Sequence, residues 1–195
     1  MEKEFSANDS IALIEEMINK AKSNFSDDSF LYLLWGWVIF ICSVGHFLLL
    51  KSGLVKNPEY IWVLTWIAVL VQIFYIFKVE KKKRVKTYTD EIIGYLWMTF
   101  GFTMFFITII LGYTSNWVTL YPLLLFLYGT PTFLSGVIIK FMPLKIGGIS
   151  CWILAFVAKF TPNIYILLLL ALAVIAAWII PGYLLKIKFK KQNHG

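Results

Sequence analysis

The sequence predicts an all-α fold: a polytopic membrane protein built as a six-helix transmembrane bundle, with a short N-terminal cytoplasmic amphipathic helix. Two observations carry that expectation. Fifteen of the eighteen Lys and Arg residues fall on alternate connections between long uncharged apolar runs. The composition agrees: 59% of the 195 residues are hydrophobic and 15% are charged, where soluble domains run at about 45–50% and about 25%. Mean hydropathy is +0.76, and no Asp or Glu follows Glu91. A soluble chain of this make-up lacks the polar surface to cover itself.

The elements follow in order. Residues 1–28 read as a cytoplasmic segment. Within it Ile11, Ile14, Ile18, Ala21 and Phe25 recur at spacings of three and four, one face of a helix over 7–25. Ser6 or Asp9 can cap its start. Ser26-Asp27-Asp28-Ser29 then opens the first span, with acids where a helix N-terminus favours them. A crossing helix needs about 20 apolar residues for about 30 Å of hydrocarbon. Spans are expected at about 29–50, 60–78, 92–112, 117–139, 145–161 and 163–185. Together they fill 29–186 and leave a basic tail over 187–195. The uncharged stretch from Ile92 to Ile139 holds two crossings, divided by the polar turn Tyr113-Thr114-Ser115-Asn116. The fifth run is brief, because Ile146 to Ala158 lies between Lys145 and Lys159. A short or tilted span is expected there, with a re-entrant segment as the alternative.

Orientation follows from the lysines. The N-terminal segment, the connection from Lys78 to Lys86, the connection holding Lys140 and Lys145, and the tail share one side. Lys51, Lys56 and Lys159 lie on the other. Positive charge stays cytoplasmic during insertion, so both termini are expected in the cytoplasm, and an even number of spans agrees. Met1-Glu2-Lys3-Glu4 is acidic and the first apolar run begins near residue 30, so the first span is expected to be its own insertion signal. Small size and the lack of other signals point to a bacterial inner membrane. Residues 1–29 carry a net charge of −4, which disfavours docking on anionic lipid and makes the basic loop Lys81 to Lys86 the better partner; a solvated helix that merely packs on the membrane-facing ends of the bundle is the equal alternative. Tyr60, Trp62, Tyr113, Trp117 and Tyr121 are placed for an outer interfacial belt.

Polar residues inside a membrane are functional hypotheses by default, and this chain has few. His46 lies one turn after Cys42, so the two share a face; two ligands fall short of the three or four that zinc asks for. A His46 hydrogen-bonded to a neighbouring helix is the simpler reading. Gln72 has the same simple role, an interhelical hydrogen bond of about 0.6–2 kcal/mol. The fourth span is the most unusual, with Gly129-Thr130-Pro131-Thr132 near its middle and Ser135 and Gly136 beyond. Pro131 removes a backbone hydrogen bond, and breaks of this kind in lipid need hydroxyls, neighbours or water; they also build transporter sites. The cavity candidates are therefore His46, Gln72, Gly129, Thr130, Pro131, Thr132 and Ser135. Pro181-Gly182 reads as an end-of-helix kink. Gly147, Cys151 and Ala155 form a small-residue stripe that Ala173 and Ala177 repeat in the last span, and Gly94 and Gly101 share a face of the third; all read as packing features. Cys42 and Cys151 are expected to behave as small apolar residues. Tyr32-Leu33-Leu34-Trp35, Tyr95-Leu96-Trp97 and, weakly, Gly148 to Trp152 suggest a thrice-repeated hairpin.

No metalloprotease motif, phosphate-binding glycine loop, paired carboxylate or Ser-His-Asp set is present. No enzymatic activity, cofactor, metal or nucleic-acid partner is expected. Tyr32-Leu33-Leu34-Trp35-Gly36-Trp37 and Ile180-Pro181-Gly182-Tyr183-Leu184-Leu185 make the chain resemble small six-span bacterial inner-membrane proteins that are themselves uncharacterised. The resemblance implies a fold and a membrane, with no activity and no site residues. The expected role is interaction, as a regulatory or accessory subunit among membrane lipids, with a protein partner or a second copy. A small-solute permease or channel, its site at the fourth span, is the alternative.

Overall fold

The computed structural model describes residues 7–80, 88–114 and 117–192. Among them every element is helical: α1 (Ala7–Ser52), a 3-10 turn (Pro58–Trp62), α2 (Val63–Glu80), α3 (Tyr88–Tyr113), α4 (Trp117–Ile138), α5 (Met142–Lys159), α6 (Asn163–Val174), a π turn (Ile175–Ile179) and α7 (Ile180–Gln192). Six stretches are long and apolar enough to cross a bilayer: Ser29–Ser52, Pro58–Lys78, Tyr88–Tyr113, Thr119–Ile138, Met142–Lys159 and Ile164–Lys188. The protein is an all-α, multi-pass helical bundle. The side chains of residues 7–28, the loop Lys81 to Lys86 and the side chain of Trp117 lie outside the described residues.

α1 is one helix across the region where the sequence suggested a fresh start at Ser26-Asp27-Asp28-Ser29. No Gly or Pro occurs between Ala7 and Trp35, so nothing there terminates a helix. The 46 residues extend about 69 Å, roughly twice the hydrocarbon thickness. The fifth crossing is longer than its charge-free core. α5 has 18 residues, about 27 Å of helix. Pro143 sits in its first turn, where a missing N–H costs nothing, and Lys145 is only half-buried.

Gly147 is where α5 meets the sixth crossing. A Cβ there would lie 2.6 Å from the Ala177 Cα, and the Cys151 Sγ points to the Ala173 carbonyl at 3.9 Å. The two small-residue stripes face each other, as their spacing implied. On its other side α5 meets α4 through Gly129 and Gly148. A Cβ at Gly148 would sit 2.7 Å from the Phe133 amide nitrogen and 2.8 Å from the Gly129 carbonyl oxygen. Gly94 and Gly101 are different: a Cβ on either meets nothing within 4 Å. Their reading as packing positions within the bundle is corrected by the outward face they occupy on α3.

Pro181 and Gly182 do not end a helix. α7 continues to Gln192, and both residues are buried. Proline crowds the carbonyl four residues earlier, here Ala177, and offers it no N–H. The π turn over Ile175–Ile179 widens the helix at that carbonyl and absorbs the crowding. The sixth crossing thus passes through the centre, with 56% of its most apolar window buried. α1, α4 and α5 pack around it. α2 and α3 are peripheral, at 6% and 0% buried. The α2 backbone approaches only α1 and the 3-10 turn and the α3 backbone only α4, while the Trp97 side chain of α3 reaches Tyr32 and Trp178; α2 and α3 do not approach each other among the described residues.

Contacts between crossings define two ends. Phe30 stacks on Tyr75 at 4.5 Å between centroids, and Lys188 lies over the Phe141 ring at 5.4 Å. This end carries Lys78, Lys140, Lys145, Lys186 and Lys188. At the other, His46 meets Trp62 and Phe47 meets Tyr165. That end carries Lys51, Lys56 and Lys159, with Tyr60 and Tyr113 well exposed.

Candidate functional site

Indole N–H groups occupy the polar candidates. Trp178, in the π turn, donates to Thr132 Oγ1 at 2.8 Å. Thr132, fully buried, donates in turn to the Tyr128 carbonyl at 2.7 Å. Trp97 on α3 donates to Ser135 Oγ at 3.2 Å. Trp35 on α1 donates to Gln72 Oε1 on α2 at 2.6 Å. Trp62 donates to His46 Nδ1 at 3.0 Å. A buried indole needs an acceptor and a buried hydroxyl or amide needs a partner. Each pair satisfies both needs with one bond between different elements. His46 accepts at Nδ1, which leaves Nε2 to carry the proton of the neutral ring.

The seven candidates do not gather around one space. Thr132 and Ser135 share an aromatic layer in which Trp97 and Trp178 lie 6.1 Å apart, Tyr128 lies 4.8 Å from Trp178 and Tyr32 lies 5.6 Å from Trp97. Gln72 is bonded instead to Trp35 on α1. His46 is at the opposite end, where Cys42 Sγ also points to the Ile61 carbonyl at 3.4 Å. Cys42 and His46 do share a face, and it serves to hold the 3-10 turn. Gly129 is packed against Trp152 and Gly148. Thr130 is half-buried and bonds within α4, its Oγ1 donating to the Phe126 carbonyl at 3.4 Å.

α4 is continuous through Pro122 and Pro131. The proline deprives the Leu127 carbonyl of its N–H partner, and Thr130 and Thr132 place hydroxyls on the carbonyls either side of it, Phe126 and Tyr128. The segment Gly129 to Gly136 presses its backbone on α5: a Cβ at Gly136 would lie 2.7 Å from the Lys145 amide nitrogen. Among the described residues no group of three His, Cys, Asp or Glu side chains is placed to hold a metal ion.

The tryptophans are the part that reading the sequence missed. A mid-membrane indole usually finds an acceptor, so Trp35, Trp97 and Trp178 could have been matched to the few polar groups available. Two of the three segments of the suggested repeat share one kind of contact. Trp35 and Trp97 each bond to a residue on the return helix of their own hairpin, 37 and 38 positions later. In the third hairpin Trp152 Nε1 is buried with no hydrogen-bond partner. The motifs Tyr32 to Trp37 and Ile180 to Leu185 are one contact. A Cβ on Gly36 would lie 2.8 Å from Ile179, one on Gly182 would lie 3.0 Å from Leu33, and Trp37 donates to the Tyr183 hydroxyl at 3.3 Å. No family model, curated protein or solved structure matches the chain.

Proposed function

We propose that the protein is a non-enzymatic membrane protein that works by interaction, as a regulatory or accessory subunit in the inner membrane, with both termini cytoplasmic. The observation that carries this is the contrast between a tied interior and an open exterior. The polar groups His46, Gln72, Thr132 and Ser135 are each committed to an indole. The segment Gly129 to Gly136 is packed against α5. α2 and α3 bury few residues completely and do not approach each other among the described residues, and each presents a long exposed apolar face. Such faces contact lipid or another membrane helix. The permease alternative asks for water-reachable space beside Thr132 and Ser135, and both are 0% exposed.

Native mass spectrometry of the protein gently released from its own membrane tests the reading. A fixed-stoichiometry assembly is expected, and removal of residues 1–25 is expected to dissolve it. A lone monomer with and without that segment would end the proposal.

A further inference from the structure

Two of the described residues adopt left-handed backbone, and each follows a long helix: Gly53 (φ 63) after α1 and Lys140 (φ 53) after α4. Glycine does this without steric penalty; a residue with a Cβ does not. The turn at Lys140 is an ordinary helix stop. The Phe141 N–H donates to the Gly136 carbonyl at 2.9 Å and the Lys140 N–H to the Val137 carbonyl at 3.2 Å, the pair of bonds that glycine usually closes at this position. Glycine would make the less strained cap, and the lysine instead places a charged side chain here at the cost of backbone comfort.

That side chain is exposed in a basic setting. Phe141, the next residue, is buried beneath the Lys188 Nζ, 5.4 Å from the ring centre. Gly136 lets the Lys145 amide close on the last turn of α4. The end of α4, the start of α5 and the end of α7 therefore gather Lys140, Lys145 and Lys188, with Lys186 on the same stretch of α7. None of these three elements contributes an acid, because no Asp or Glu follows Glu91; the described acids of α3 at this end are Asp90 and Glu91 in its first turn. Apolar side chains adjoin the charges: Met142 is 60%, Ile187 51% and Leu184 42% exposed. A free anion needs only the cations. A phospholipid needs cations for its phosphate and a neighbouring apolar flank for its chains.

We propose that Lys140, Lys145 and Lys188 form a site for the phosphate of an anionic phospholipid in the leaflet on the basic side. The lipid bridges the α4–α5 turn to α7. Charge complementarity and the adjoining apolar surface select it over a zwitterionic lipid and over free phosphate.

The test is native mass spectrometry of the full chain in detergent supplemented with phosphatidylglycerol, phosphatidylcholine or inorganic phosphate, using wild type, Lys140→Gly and Lys188→Gln. Wild type is expected to retain phosphatidylglycerol over phosphatidylcholine, and each substitution to lower that retention about fivefold. Lys140→Gly is expected to melt no lower than wild type, since it removes a steric penalty while removing the charge. A purely structural lysine would leave lipid retention unchanged. Equal retention of the two lipids, variants that hold phosphatidylglycerol as wild type does, or its full displacement by millimolar inorganic phosphate would each overturn the proposal.

Discussion

Trp178 and Thr132 are joined by a 2.8 Å hydrogen bond between the π turn of the sixth crossing and the proline-bearing fourth. Thr132 accepts from the indole while donating to its own helix at Tyr128. The bond thus couples the π turn to the proline-bearing segment of α4. Thr132→Val keeps the shape and leaves the indole N–H without a partner in a buried site, at a cost of about 1–3 kcal/mol. Trp178→Phe removes the donor and leaves the Thr132 hydroxyl its carbonyl. The double substitution is expected to cost less than the sum of the two, by a coupling of about 1 kcal/mol. Unfolding in mixed micelles measures all three; strict additivity would mean that the bond contributes nothing.

The glycines separate into two classes that substitution will distinguish. Gly148→Ala drives a methyl into the backbone of α4, where neither Gly129 nor Phe133 can retreat without shifting a helix, and is expected to destabilise by about 1–3 kcal/mol. Gly94→Ala and Gly101→Ala point into open surroundings and are expected to be neutral or to gain up to about 1 kcal/mol from helix propensity. Thermal melts of the purified protein decide. A loss at Gly94 or Gly101 as large as at Gly148 would show that a partner covers α3 in the sample.

α2 hangs on few supports: the Trp35 bond to Gln72, the Phe30–Tyr75 stack and the 3-10 turn before it. Gln72→Leu removes the first and is expected to speed amide exchange across Val63–Glu80 while leaving α5 at its original rate. Hydrogen exchange with mass spectrometry reads this directly. Equal acceleration in both helices would indicate general destabilisation and refute a local tie.

Sidedness is open to a simple check. Lys190→Cys and Lys56→Cys belong to opposite ends of the bundle. A membrane-impermeant thiol reagent applied to sealed cells should label Lys56→Cys, and label Lys190→Cys only after the membrane is opened. Labelling of both from outside would contradict cytoplasmic placement of the C-terminus.

Much of this fold was legible in the residues. Charge-free runs and alternating lysines mark crossings because hydrocarbon excludes charge, and the stripe Gly147-Cys151-Ala155 found its counterpart Ala173-Ala177 because small residues permit close approach. The fifth crossing is brief in charge-free residues, and its helix runs Met142–Lys159 through both bounding lysines, which can lie along the helix and reach out to the interface. The π turn was not legible, since widening a helix depends on what Pro181 meets in three dimensions. Nor was the pairing of His46, Gln72, Thr132 and Ser135 each with its own tryptophan: hydropathy records that an indole is deep, not which helix stands beside it. Gly94 and Gly101 carry the same local signal as Gly148, and only the bundle distinguishes an occupied face from an open one.

The central claim is that His46, Gln72, Thr132 and Ser135 tie helices together and leave the middle dry, so that the protein acts through its outer faces. Thiol accessibility tests this most directly. The native Cys42 and Cys151 are both 0% exposed, and Ser135→Cys adds a probe in the aromatic layer of the fourth span. With a water-soluble maleimide applied to both sides of native membranes, and adducts mapped by mass spectrometry, none of the three should react until the protein is unfolded, while Lys56→Cys reacts at once. Labelling of Ser135→Cys at a rate comparable to Lys56→Cys would reveal a water path through the bundle and contradict the account.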